Sequence, residues 1–353
     1  MTEKTIINGD SCHELLTENT VKKFAYRDDC DFEVWRKNLR EELMKKLGLD
    51  KIAANACAPD SKIEEDIVVD DYRRIRLVFE SEKGSFVPCY LLIPRGEKKK
   101  YPVAITLQGH SSGFRYSIGE NYGNPNDDYL TRGDFGRQAV KNGYAALCIE
   151  QRAMGERVTS RHTFREQMCL FQSMTAIMLG RTVIGERVWD VMRAVDLLHE
   201  FAEVDFEDVF ITGNSGGGTT SFYAACIDER IKLSAPSCAF CSYDESIMKV
   251  YHCTCNYIPG AREYFDMGDL AGLIAPRKLI IIAGKDDPYF LLKGVKDSYA
   301  TVEKIYERIG APQNCELIVT DKAHWWCKDV VWQAINSARA KNKNQNDYEY
   351  GKN

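Results

Sequence analysis

Short apolar runs alternate along the chain with longer stretches in which apolar residues recur every three or four positions. The runs cover residues 103–107, 144–149, 209–212 and 279–283. Nearly continuous apolar runs of this length are typical of parallel strands that are buried on both faces. Helical spacing occupies residues 135–142, 187–201, 217–226 and 291–309. The alternation predicts an α/β fold with a mainly parallel central sheet and helices on both of its faces.

The two ends of the chain depart from this alternation. Residues 11–48 carry apolar positions at helical spacing, so residues 1–60 are predicted to form an N-terminal helical arm that packs against the main domain. The main domain is predicted for residues 61–340 and opens with paired strands near residues 73–79 and 87–93. A polar tail follows at residues 341–353, and its composition predicts disorder.

Two insertions interrupt the main domain. Residues 111–133 are rich in Ser, Gly, Asn, Asp and Tyr, and residues 153–184 form a second, partly helical excursion. Both leave the carboxyl ends of predicted strands, where ligands bind in open α/β sheets. We therefore expect both insertions to shape a substrate pocket.

Composition and hydropathy limit the classes of partner that this chain is expected to bind. The 353 residues carry a net charge of −5, with 44% hydrophobic and 28% charged residues, which argues against a nucleic-acid partner. No run approaches the roughly 18 apolar residues that span a bilayer, so no membrane partner is predicted. Residues 1–10 lack the apolar core of an export signal, so the thirteen cysteines are expected to be reduced thiols in the cytoplasm. The oligomeric state stays open, a homo-oligomer included.

A candidate nucleophile follows the apolar run at residues 209–212. Residues 213–217 read Gly-Asn-Ser-Gly-Gly and precede a helical pattern. The motif G-x-S-x-G between a strand and a helix is a nucleophile elbow, in which a sharp turn exposes the serine hydroxyl near a helix N-terminus. The glycines let the strand and the helix approach each other. Ser215 is therefore the predicted nucleophile.

The position of the general base follows from chain order. A serine is a weak nucleophile at neutral pH and requires a base, and in folds with this elbow the order is serine, acid, histidine. Only His252 and His324 follow Ser215. Since His252 precedes the strand predicted at residues 279–283, it is too early to follow the acid. His324 is the predicted base.

The acid is expected just after that strand, where two aspartates are adjacent. The sequence there is Gly-Lys-Asp-Asp-Pro at residues 284–288. The spacing from Gly284 favours Asp287, with Pro288 fixing the turn. Asp286 stays open as the alternative and is otherwise expected to cap the loop or face solvent.

Backbone N–H groups are expected to stabilise the oxyanion. One donor is Gly216, directly after the nucleophile, and the other is His110, in the loop after the strand at residues 103–107. Ser111, Arg152 and Tyr257 are candidate pocket residues. For Arg152 the sequence favours another role, which is holding its own loop through hydrogen bonds.

The cysteines allow a competing interpretation. Cys238 and Cys241, together with Cys253, Cys255 and His252, could supply enough soft ligands for zinc. The C-x-C spacing is unusual for a structural zinc finger, and free cysteine is a common core residue. We therefore predict no metal and no cofactor, and we expect Cys253 and Cys255 to line or support the pocket.

With these residues placed, a family resemblance emerges. The segments at residues 180–198 and 213–218, followed by residues 256–260 and 273–277, resemble the dienelactone-hydrolase-like and acetyl-xylan-esterase-like branch of the α/β hydrolases. The similarity covers roughly residues 65–340. It implies an α/β-hydrolase fold and a carboxylesterase acting on small acyl esters, often acetyl groups on sugars. It also supports Ser215, Asp287 and His324 position by position.

Departures from the family pattern refine the expected substrate. Dienelactone hydrolases proper use a cysteine nucleophile, whereas this chain has a serine. Gln108 stands where many relatives have a histidine before the glycine. Secreted xylan esterases carry export signals, so acetylated oligosaccharides or other small esters are favoured here over polymeric xylan.

Three functions remain open from the sequence. The favoured one is a serine carboxylesterase that works through an acyl-enzyme. The second is an amidase or peptidase with the same three catalytic residues. The third is a non-catalytic or zinc-binding α/β protein that uses the cysteines.

Overall fold

A nine-stranded sheet organises the part of the chain that the computed structural model describes, which is residues 8–111, 113–120, 133–159 and 169–350, with side chains described to residue 340. The strands are β1 Ser61–Val69, β2 Tyr72–Glu82, β3 Ser85–Pro94, β4 Tyr101–Leu107, β5 Ala145–Ile149, β6 Val204–Asn214, β7 Ile231–Ser237, β8 Lys278–Gly284 and β9 Cys315–Thr320. Their order across the sheet is β1-β2-β3-β5-β4-β6-β7-β8-β9.

The sheet is antiparallel at one side and parallel through the rest. Strands β1, β2, β3 and β5 pair antiparallel, and the pairs from β5 through β4, β6, β7 and β8 to β9 are parallel. Every residue of β5 and β8 is buried, as expected for strands covered on both faces. The predicted α/β fold with a mainly parallel sheet is confirmed.

Helices cover both faces of this sheet. They are α1 Ser11–Asn19, α2 Phe32–Leu47, α3 Leu49–Ala53, α4 Phe135–Lys141, α5 Leu170–Met178, α6 Val183–Leu197, α7 Gly216–Ile227, α8 Met267–Leu270, α9 Leu292–Arg308 and α10 Lys328–Tyr350. Apolar residues of α2, α6, α7 and α9 join one core cluster, and those of α4 and α10 join a second cluster with other sheet residues. None of the helices in the described ranges is long and apolar enough to cross a bilayer.

The N-terminal arm packs onto the main domain, but it is not one continuous helix. Helices α1 and α2 are separated by irregular chain, in which the backbone N–H groups of Lys23 and Phe24 donate to the carbonyls of Glu263 and Tyr264. These bonds to the main domain replace the intrahelical bonds that a continuous helix would need. Four apolar residues of α2 are buried in the large core cluster, namely Trp35, Leu39, Leu43 and Leu47.

The C-terminal segment also departs from the prediction. Helix α10 continues through Tyr350, so the backbone of residues 341–350 is helical rather than irregular. The long insertions are described in part, since residues 112, 121–132 and 160–168 lie outside the described residues. The helix α5 Leu170–Met178 lies within the second insertion, which the sequence predicts to be partly helical.

Candidate active site

Ser215 lies on a strained turn between β6 and α7. Its φ of 54° and ψ of −123° place a non-glycine residue in a sparsely populated region. The turn brings backbone segments close together. A Cβ on Gly213 would lie 2.5 Å from the Leu107 carbonyl oxygen, and one on Gly217 only 2.1 Å from the same atom. Only glycine fits at either position.

The turn presents the serine at a helix N-terminus. Gly216 is the first residue of α7, where backbone N–H groups have no intrahelical acceptor and the helix dipole favours negative charge. Asn214 and Gly216 are buried, whereas Ser215 is partly exposed. The Ser215 N–H donates to the Ser237 carbonyl at 2.9 Å, which ties the elbow to the end of β7.

Asp287 and His324 form a hydrogen-bonded pair. His324 Nδ1 lies 2.8 Å from Asp287 Oδ2, and only 1% of the Asp287 side chain is exposed against 20% for His324. The other carboxylate oxygen, Oδ1, accepts from the Tyr289 and Phe290 N–H groups at 2.9 and 3.2 Å. With the His324 Nδ1 proton donated to Asp287, Nε2 is left as the proton acceptor of a neutral imidazole.

The alternative acid and base have other hydrogen-bond partners. Asp286 is exposed, and its backbone N–H donates to the Lys322 carbonyl at 3.3 Å. His252 is buried, with Nε2 3.0 Å from both the Ser246 hydroxyl and the Tyr289 carbonyl. Burial lowers the pKa of His252.

Cys238 connects the elbow to this pair. It follows Ser237, which accepts the Ser215 N–H, and its sulfur lies within 4.8 Å of ligand atoms of Asp287 and His324. Burial and the carboxylate of Asp287 raise the pKa of the Cys238 thiol to about 12. At neutral pH it is an uncharged thiol, directed toward the Trp325 carbonyl at 3.5 Å.

The second segment at the elbow contains Gly109 and His110. A Cβ on Gly109 would lie 3.1 Å from Ser215 Cβ, so this backbone runs directly beside the serine. The buried carboxyl of Glu150 holds the segment, since it accepts from Gln108 Nε2 at 3.2 Å and from the Phe114 N–H at 3.1 Å. Burial raises the pKa of Glu150 to about 8.

The three candidate pocket residues are in different surroundings. The Ser111 hydroxyl accepts from the Gly113 N–H at 3.4 Å, and Tyr257 is 39% exposed. The Arg152 side chain is only 12% exposed and forms ion pairs with Asp190 at 3.0 Å, Glu82 at 2.7 Å and Glu186 at 3.3 Å. Arg152 therefore belongs to a buried ion-pair network, in line with the loop-holding role that the sequence favours for it.

Asp190 is the centre of that network, and its removal is expected to destabilise the fold. Burial alone would raise the pKa of Asp190, but the charges of Arg152 and Arg157 lower it to about 2. Asp190→Ala would remove the carboxylate that pairs with two buried guanidinium groups, which is expected to lower the free energy of unfolding by about 3 kcal/mol or more. Urea unfolding followed by circular dichroism measures the loss.

The matched control is Asp29→Ala, because Asp29 pairs with Arg27 on the surface. This variant is expected to leave the unfolding midpoint unchanged. Equal midpoints for the Asp190 variant and the wild type would contradict the structural role of the network.

The cysteines group differently from the sequence-based zinc hypothesis. Cys241 Sγ lies 3.5 Å from the Leu291 carbonyl, and Cys238 lies beside the Asp287–His324 pair. Cys253 and Cys255 instead meet two residues that the hypothesis did not include, His110 and Cys169. The donor atoms of these four residues all lie within 4.8 Å of one another. The ligand set considered from the sequence was wrong, because both missing members are distant along the chain.

Comparisons with known families agree with this architecture. The model of a family described as "Abhydrolase family" matches residues 7–195. The model described as "Acetyl xylan esterase (AXE1)" matches residues 140–286, which include Ser215. A candidate hydrolase of Bacillus subtilis (strain 168), YtaP, is 24% identical over 251 residues, which cover 70% of this chain and 81% of YtaP.

Solved structures share the fold. A candidate acetyl xylan esterase from Bacteroides fragilis NCTC 9343 matches with a TM-score of 0.74 at 18% identity, over 90% of this chain and 83% of its own. A glucuronoyl esterase from Solibacter usitatus matches with a TM-score of 0.61 at 14% identity, over 86% of this chain and 91% of its own. Acetyl xylan esterase 1 from Thermoanaerobacterium sp. JW/SL YS485 matches with a TM-score of 0.55 at 17% identity, over 88% and 93%. The α/β-hydrolase fold and the acetyl-xylan-esterase-like resemblance are confirmed.

Proposed function

Because the chain belongs to the Abhydrolase family and resembles acetyl xylan esterases over residues 140–286, we propose that this carboxylic ester hydrolase is a serine esterase of small acyl esters of carbohydrates. The observation that carries the proposal is the strained elbow at Ser215, tied through β7 to Cys238 beside the Asp287–His324 pair. In this mechanism Ser215 is the nucleophile, His324 the general base and Asp287 the acid that orients it.

The first half-reaction acylates the serine. Ser215 Oγ attacks the ester carbonyl carbon while its proton moves to His324 Nε2, and the carbonyl oxygen becomes an oxyanion. The charged imidazole is stabilised by the buried Asp287 carboxylate at 2.8 Å. When the tetrahedral intermediate collapses, His324 returns the proton to the leaving alcohol, and the acyl group stays on Ser215.

The second half-reaction reverses these roles with water. Nε2 takes a proton from a water molecule, the hydroxide attacks the acyl carbon, and Ser215 Oγ leaves with the proton that His324 returns. The free carboxylic acid and the regenerated serine are the products. In both halves the N–H groups of Gly216 and His110 are the proposed oxyanion donors, each worth about 3 kcal/mol of barrier.

Acetyl is the proposed acyl group, and a sugar hydroxyl the proposed leaving group. Support comes from the match to the acetyl xylan esterase model over residues 140–286. None of the thirteen cysteines forms a disulfide, which supports the further proposal of a reducing, cytoplasmic location. Acetylated oligosaccharides are a substrate class that fits such a location.

A substrate panel tests the proposal. The purified protein is expected to hydrolyse p-nitrophenyl acetate and to release acetate from acetylated xylo-oligosaccharides, while an aminopeptidase-type p-nitroanilide is not turned over above background. Rapid anilide cleavage with no ester turnover would replace the esterase by the amidase or peptidase alternative. Ser215→Ala, measured in parallel, identifies any activity that comes from a contaminant.

A further inference from the structure

A compact group of soft ligands lies beside the elbow. It consists of His110, Cys169, Cys253 and Cys255 and is called here the thiol–imidazole cluster. His110 Nε2 is 3.1 Å from Cys255 Sγ, and the four donor atoms all lie within 4.8 Å of one another. Cys169 and Cys255 are buried, whereas His110 and Cys253 are partly exposed.

The cluster joins three separate segments of the fold. His110 follows β4, Cys169 directly precedes α5, and Cys253 and Cys255 lie in the connection between β7 and α8. Residues from distant parts of the chain converge on one point here. An ion at that point would cross-link the three segments.

The spacing suits a tetrahedral metal site. Zinc binds cysteine sulfur at about 2.3 Å and histidine nitrogen at about 2.0 Å, so neighbouring ligand atoms in such a site are ~3.8 Å apart. Separations below 4.8 Å are compatible with this geometry after small side-chain adjustments. Three cysteines and one histidine form a closed set of four ligands, which is typical of structural rather than catalytic zinc.

Arg187 supplies an independent observation. Its side chain is almost fully buried, at 1% exposure, yet among the described residues no carboxylate pairs with it. Its guanidinium donates to the Arg152 carbonyl at 2.7 and 3.1 Å, to Cys255 Sγ at 3.3 Å and to Cys169 Sγ at 3.5 Å. A buried cation without an anion is strongly unfavourable. The sulfurs that it contacts are therefore expected to be thiolates.

Charge balance then requires a further cation. As thiolates, the two sulfurs that Arg187 contacts would exceed its charge by one, so more positive charge is needed beside them in this largely buried volume. A divalent ion held by three thiolates and a neutral imidazole carries one negative charge, which Arg187 neutralises. Thiolate and imidazole ligands favour zinc among the common divalent ions.

We propose that the thiol–imidazole cluster binds a structural Zn²⁺ ion through His110 Nε2 and the sulfurs of Cys169, Cys253 and Cys255. In the bound state all three sulfurs are thiolates, so binding releases whichever thiol protons remain, with no change in oxidation state. Arg187 is the positioning residue that stabilises the resulting charge. This departs from the sequence-based prediction of no metal.

A metal ion at the cluster would also affect the nucleophile elbow. This effect on catalysis rests on the proposed esterase function, whereas the metal site does not. A Cβ on Gly216 would lie 2.8 Å from His110 Cε1 and 2.9 Å from Nδ1, so the imidazole packs on the backbone of a proposed oxyanion donor. An ion on Nε2 would fix this ring and the segment that carries the His110 N–H. Zinc removal is therefore expected to lower kcat more than it changes KM.

Metal analysis of the full-length protein tests the site. Protein purified without chelators is expected to contain about one zinc ion per chain. The double variant Cys169→Ser/Cys255→Ser is expected to lose at least about tenfold of that content. Cys241→Ser is the matched control, because Cys241 is a buried thiol of the hypothetical set considered from the sequence and lies outside the cluster. It is expected to keep its zinc.

A second measurement keeps the test independent of how the variants fold. Cobalt exchanged into the wild-type protein is expected to give the intense visible bands of a tetrahedral site and a sulfur-to-cobalt charge-transfer band. Wild-type protein that holds neither zinc nor cobalt, a disulfide among the three cysteines, or equal zinc loss in Cys241→Ser would each overturn the site. None of these readouts requires esterase activity, so failure of the metal site and failure of the esterase proposal are distinguished.

Discussion

Ser215→Ala is expected to lower kcat for p-nitrophenyl acetate by about ten-thousand-fold to a million-fold. The substitution removes the oxygen that would form the acyl-enzyme, while the oxyanion donors and the pocket remain. KM is expected to change little, because the hydroxyl contributes to the transition state rather than to ground-state binding. Steady-state kinetics with an acetate ester measure both constants.

Ser221→Ala is the matched control for this variant. Ser221 lies on the same helix, α7, is fully buried, and donates to the Gly217 carbonyl at 2.8 Å. Its loss removes a serine hydroxyl from the same element without removing the proposed nucleophile. Wild-type rates in Ser215→Ala, or equal losses in the two variants, would contradict the nucleophile assignment.

Asp287→Asn is expected to lower kcat by about ten-thousand-fold, with little change in fold. The reason lies in the two backbone donors to Oδ1, the N–H groups of Tyr289 and Phe290. These donors require an oxygen at that position in the variant, so the new NH2 group must face His324 Nδ1. The imidazole then carries its proton on Nε2, where it cannot accept the proton of Ser215.

Asp286→Asn separates this effect from a general loss of loop charge. Asp286 is the adjacent residue, is exposed, and undergoes the same chemical change in the control. It is expected to keep wild-type kinetics. If Asp286→Asn lost activity and Asp287→Asn did not, the acid would have to be reassigned.

The fold was predictable from the sequence because its central strands, such as β5 and β8, are buried on both faces. Runs such as residues 103–107 and 279–283 are apolar except for Thr106 and fall within β4 and β8. The N-terminal arm was less predictable, because helical spacing does not show where tertiary contacts interrupt a helix. Lys23 and Phe24 bond to the main domain instead.

The candidate triad residues could be selected from the elbow motif, the predicted strand positions and chain order. The elbow is a local signal, and order then leaves one histidine and two adjacent aspartates. The choice between those aspartates depends on which side chain turns inward, and spacing indicates this only weakly. In the structure, Asp287 is the one that meets His324.

The thiol–imidazole cluster could not be assembled from the sequence. The C-x-C pair at Cys253 and Cys255 was a visible signal, but nothing local connects it to Cys169 or His110. Proximity in the chain pointed to Cys238 and Cys241 instead. The set depends on the sheet order, which places β4 and β7 on either side of β6, so that the carboxyl ends of both strands lie beside the elbow.

The most direct test of the account is covalent labelling by a fluorophosphonate, followed by peptide mass spectrometry. The probe reacts with a serine only when a base and an oxyanion site activate it. The account predicts one adduct, on Ser215, which is absent in Ser215→Ala. An unlabelled wild-type protein, or an adduct that persists in Ser215→Ala, would contradict it.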